Sequence, residues 1–117
     1  MGGLSAFNAD VTGNSKFGYG VQVPVIAKTA AYTILETDVF ITADVTSGSF
    51  TLTLPAANVA GARFTPVIWI RRIDASANTL TVARAGADTV EGAASITVAA
   101  STGIQLLSDG SSKWYKV

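Results

Sequence analysis

The sequence predicts an all-β fold, a compact β-sandwich or barrel-like module carrying an extended N-terminal arm. Three observations predict it. Short runs alternate apolar and polar residues with the period of a strand. Gly-containing turn pairs separate those runs at roughly ten-residue intervals, the spacing of a sandwich, barrel or stacked-sheet fold. No window of helical length carries a clean apolar stripe at the 3.6-residue period.

The elements follow in order. Val39-Phe40-Ile41-Thr42 is rich in β-branched and aromatic residues, which suit a pleated surface. Ser49 to Leu54 alternates strictly, placing Phe50, Leu52 and Leu54 on one face, and Pro55 closes the strand because it has no N–H for a ladder. Pro55 to Gly61 is the best helical candidate and has room for one or two turns at most. Val67-Ile68-Trp69-Ile70 is continuously apolar, the pattern of a strand covered on both faces. Asn78 to Val82 and Ser95 to Val98 alternate again, Ile104 to Leu107 does so less cleanly, and Lys113 to Val117 is the final strand. Ser47-Gly48, Ala60-Gly61, Ala85-Gly86, Glu91-Gly92, Thr102-Gly103 and Asp109-Gly110 supply the turns between runs.

The chain divides by texture. Residues 1–30 hold five of the eleven glycines and three spaced aromatics, Phe7, Phe17 and Tyr19. Such a backbone turns freely and builds no core of its own, so this region reads as an arm whose aromatics dock on a partner. A frayed terminus is the alternative. Residues 31–117 form the β-rich module. Its strands are heavy in Thr and Ala, which pack closely but supply little volume, and subunit association is the usual supplement to so thin a core.

Composition narrows the function. The 117 residues fit one domain. Hydrophobic residues make up 49% and charged residues only 14%, with eight bases balancing eight acids. With so little colloidal repulsion, the chain is expected to hide apolar surface in an assembly. There is no basic stripe for nucleic acid, no apolar run long enough to span a membrane and no basic-then-apolar leader of a signal peptide. Met1-Gly2 hints at myristoylation, but Ala6 stands where Ser or Thr is preferred.

Chemistry is equally constrained. The sequence has no histidine and no cysteine, so the commonest general base, the commonest metal ligand and thiolate chemistry are all missing. Phosphate-loop and calcium-loop patterns do not occur. Ser112-Lys113 would point to opposite faces of a strand. Asp44, Asp74, Asp88, Glu91 and Asp109 sit beside Gly, Ser, Thr or Ala, where carboxylates cap turns rather than cleave sugars. No enzyme activity, cofactor or metal is expected. Arg71-Arg72, the one adjacent basic pair, and Trp69 beside it are the candidate intersubunit residues. A solvated face is the alternative for the arginines. Trp114 and Tyr115 alternate faces on a strand that reads as core, although either ring could stack on a sugar.

One ordered series carries a family resemblance. It runs from Tyr32-Thr33-Ile34 and Asp38-Val39-Phe40-Ile41 through Ser49-Phe50-Thr51-Leu52-Thr53-Leu54-Pro55-Ala56-Ala57. It continues through Ile70 to Val82 and Ala87-Asp88-Thr89-Val90-Glu91-Gly92, and ends at Leu106-Leu107-Ser108-Asp109-Gly110 with Lys113-Trp114-Tyr115. The series resembles a module of bacteriophage structural proteins found in tail fibres, baseplates and head decoration proteins. Arg63 to Ile70 is longer and more aromatic than that pattern. The resemblance implies a trimer that displays or glues virion surfaces, and it transfers no catalytic residue. The expected function is a capsid decoration protein, a homotrimer bound to the major capsid protein or another virion protein and made in the host cytoplasm. The short chain favours that role over a tail-fibre or baseplate component. A carbohydrate-binding module recognising a host surface glycan is the remaining reading.

Overall fold

The computed structural model describes residues 22–58 and 67–117. Phe7, Phe17 and Tyr19 therefore lie outside the described residues, as do Val59, Ala60 and Gly61 of the segment considered for a helical turn. The described residues of that segment, Pro55 to Asn58, are not helical, and Pro55 and Ala57 are buried.

The fold is all-β, built from two sheets. The described strands are β1 (Val25–Lys28), β2 (Tyr32–Thr33), β3 (Phe40–Ala43), β4 (Phe50–Thr53), β5 (Val67–Arg72), β6 (Leu80–Ala83), β7 (Thr89–Val90), β8 (Ser95–Val98), β9 (Gly103–Ser108) and β10 (Lys113–Lys116). One sheet has the order β1-β3-β5-β9-β10-β7, the other β2-β4-β6-β8. Of the sandwich and barrel alternatives, the structure takes the sandwich.

The winding is unusual for such short strands. Successive strands from β1 to β8 alternate between the two sheets. From β1 to β6 each strand therefore pairs with the strand two places away in sequence, and β1-β3-β5 and β2-β4-β6 run parallel, whereas β7 pairs in parallel with β10. The chain coils around its own core, each circuit laying one strand on each sheet. Antiparallel pairing enters only at the C-terminal end, where β8 joins β6 and β9 lies between β5 and β10.

Register explains the core. Ile26, Ile41, Ile70 and Ile104 are lateral neighbours across β1, β3, β5 and β9 and form one inward row. From the other sheet, Tyr32, Leu52, Val82 and Ile96 make the facing row, with Phe50, Leu80 and Val98 beside it. Ile41, Leu52, Leu80, Val82, Leu106 and Trp114 are entirely buried. Each such side chain contributes roughly 1.5–3 kcal/mol relative to exposure. A β-branched row suits a sheet because branching at Cβ restricts χ1 to rotamers the pleat accepts.

Two expectations need correction. Val25–Lys28 falls inside the predicted arm, yet it pairs along its whole length with β3, so the module begins before Tyr32. Val67 to Ile70 is not covered on both faces: Ile68 and Ile70 are buried, while Trp69 is 41% exposed.

Turn chemistry follows the residues. Glu91 and Gly92 both take left-handed backbone, at φ 51° and 77°. That lets Val90 and Ala93 exchange both backbone hydrogen bonds across a two-residue turn, at 2.8 and 2.9 Å. Thr102-Gly103 is not such a turn, because Gly103 opens β9.

Candidate functional site

The six-stranded sheet turns one face to the core, and no described strand covers the other. Along the open face, Val25, Phe40, Trp69 and Gln105 stand side by side on β1, β3, β5 and β9. Two residues further along, Ala27, Thr42, Arg71 and Gly103 form the next row. Between these rows lies an open cleft of about 730 Å³, whose lining includes Phe40, Trp69, Arg71, Gly103, Gln105 and Lys116. Its floor is low because Gly103 has no side chain. A Cβ there would stand 3.4 Å from the Arg71 Cδ, so the arginine stem lies across the glycine. Arg71 forms no hydrogen bond or ion pair among the described residues. Among the described residues no acidic side chain lines the cleft.

Arg71 and Arg72 have opposite fates. Arg71 is exposed beside Trp69, whereas Arg72 is 4% exposed and fully engaged within its own chain. Its Nε and Nη2 donate to the two Asp74 carboxylate oxygens at 3.2 Å each. Nη1 donates to the Val98 carbonyl at 3.1 Å, and Nη2 also donates to the carbonyls of Ser76 (2.8 Å) and Asn78 (2.7 Å). Arg72 is thus an internal clamp and not an intersubunit residue. Inward parity on β5, shared with Ile68 and Ile70, decides it.

Asp74 completes the clamp. It accepts from the Ser76 hydroxyl at 2.6 Å, from the Ser76 amide and from the Val45 amide 29 residues away. The Ser76 hydroxyl foremost, then Arg72 and the two amides, outweigh burial and hold its carboxyl well below the usual carboxylate range. Of the other acids expected to cap turns, Asp44 and Asp109 do so, whereas Asp88 and Glu91 accept from amides 31 and 25 residues away and tie distant segments together. Asp44 accepts from the Thr46 amide, Asp88 from Ala57, and Glu91 from Lys116. Asp109 accepts from Ser111, Ser112 and Lys113, which lower its pKa. Every one of these carboxylates is spent on backbone. Among the described residues no three acids gather to hold a metal. Trp114 is buried in the core and Tyr115 is 44% exposed on the opposite face of β10.

The four-stranded sheet presents a different outer face. Thr33, Thr53, Ala83 and Ser95 form one row across it, and Thr51, Thr81 and Thr97 form the next. Its four strands, YT, FTLT, LTVA and SITV, contain no charged residue. The result is a hydroxyl-rich surface with no charged residue on its strands.

Sequence reasoning singled out Trp69 and Arg71 but missed Phe40, Gly103 and Gln105, which the register brings to the same cleft. The one usable signal was parity: Ile41 faces in, so Phe40 faces out. The arrangement offers an aromatic platform, an amide and a cation for recognition. It offers no nucleophile with a base beside it. Comparison with protein-family models returned no match, and neither did comparison with curated proteins.

Proposed function

We propose that the chain is a bacteriophage virion structural protein that associates as a homotrimer and coats the head exterior. It acts by binding, without catalysis. The observation that carries the assembly reading is the uncharged threonine face of the four-stranded sheet. A freely solvated domain surface ordinarily carries about a quarter to a third charged residues. A face of small hydroxyls and methyls lets a second sheet approach closely, and three such faces can close around a threefold axis. The ordered sequence resemblance to phage structural modules supplies the biological setting. In this reading Phe7, Phe17 and Tyr19 grip the virion, while the threonine face, rather than Trp69 and Arg71, joins the subunits.

The experiment is a particle-binding assay. Purified protein is mixed with emptied heads, and separately with isolated tails, of the phage that encodes it, then sedimented. Saturable co-sedimentation with heads is the expected result. Binding to tails alone would replace head decoration with a tail or baseplate role, and binding to neither would defeat the virion reading.

A further inference from the structure

The cleft on the open face of the six-stranded sheet has a chemistry of its own, separate from the threonine face on the other sheet. We propose that it binds an acidic saccharide chain, with a sugar ring stacked on Trp69 and its carboxylate held by Arg71.

Three features select that ligand. First, Trp69 is 41% exposed on a strand whose alternate residues are buried, so the ring is presented rather than packed. An indole face accepts the C–H face of a pyranose, and Phe40 beside it on β3 extends the platform. Second, a polar side chain flanks the ring on the side away from Phe40, although Val23 and Val117 also line the cleft. Gln105 is the register partner of Trp69 on β9, and its amide can both donate to and accept from sugar hydroxyls. Third, the cleft is basic. Arg71 and Lys116 line it with no acidic side chain among the described residues, and the Arg71 fork, which has no partner among those residues, can take a carboxylate in two parallel hydrogen bonds. Gly103 keeps the floor open under the guanidinium stem. An acidic peptide would satisfy the charge but would not need a presented indole, so the aromatic platform favours the sugar.

The test uses the intact chain and a panel of oligouronates and oligosialates, with neutral maltotetraose and hexaglutamate as comparators. Trp114 is entirely buried, so ligand-dependent fluorescence and protection from acrylamide quenching report on Trp69. At least one acidic saccharide is expected to bind, more weakly as salt rises, and to shield Trp69. Trp69→Ala should abolish binding. Arg71→Gln should weaken it about tenfold or more, the loss of a charge-assisted contact. Gly103→Val should block the cleft without backbone strain, because Gly103 does not need left-handed φ. Circular dichroism verifies that each variant folds. Three outcomes overturn the proposal: silence across the acidic panel at millimolar concentration, equal binding of maltotetraose, or hexaglutamate binding that survives Trp69→Ala. None of these touches the assembly reading, which rests on the opposite sheet and is read by mass.

Discussion

Arg72 and Asp74 show how much one side chain's parity decides. In the sequence Arg71 and Arg72 are equivalent, and alternation along a strand requires only that they part. Which one goes inward was hidden because Val67, Ile68, Trp69 and Ile70 are all apolar, so the run has no visible parity. Once Ile68 and Ile70 are placed inside, Arg72 must follow them, and it survives burial only because five donor contacts meet acceptors. Asp74, by contrast, was legible: an acid followed two residues later by Ser76 is a turn signature. Its lowered pKa has a defined consequence. A carboxyl depressed in the folded state adds stability that is present above its unfolded pKa, about 4, and is lost as pH falls through the folded value. The melting temperature should therefore drop between pH 5 and pH 2. Asp74→Asn should melt lower than the parent at pH 7 and show a shallower acid limb, with Asp109 supplying the remaining slope. Thermal melts of both proteins at pH 7 and pH 3 check this. An unchanged acid limb would remove Asp74 as its source.

At the level of elements, strand identity was largely readable and strand pairing was not. β4, β6 and β8 fall close to where alternation placed them, since one face of each is apolar and the other is threonine. β1 was missed because Val25-Ile26-Ala27-Lys28 follows a glycine-rich stretch and has no strict alternation of its own. It becomes a strand by pairing with β3 and by burying Ile26 next to Ile41. The parallel coil left no local trace, because each pairing skips a strand that belongs to the other sheet. The isoleucine row is the element that makes the coil cohere. Ile41 sits at its centre and is completely buried. Ile41→Ala should cost about 2–5 kcal/mol by lost transfer and cavity formation, measured by urea unfolding. Thr42→Ala, one residue away on the open face, should cost less than about 1 kcal/mol. Similar losses at both positions would contradict the assigned facing of β3.

For the whole molecule, the two outer faces divide the work. One is aromatic and basic around a cleft, the other rich in threonine and without charge on its strands. The low charge of the chain was plain in its composition. Its concentration into an entirely uncharged sheet face was not, because that depends on which strands share a sheet. The central claim is that this face joins the subunits, and Thr81 lies in the middle of it. Its side chain is solvent-facing in the single chain, so Thr81→Lys leaves the core intact while placing three like charges in any threefold contact. The most direct measurement is the mass of parent and Thr81→Lys proteins by light scattering across a dilution series. The account predicts about three chain masses for the parent at micromolar concentration and one for the variant, with identical circular dichroism. A parent that is monomeric at micromolar concentration, or a Thr81→Lys protein that assembles as well as the parent, would contradict it.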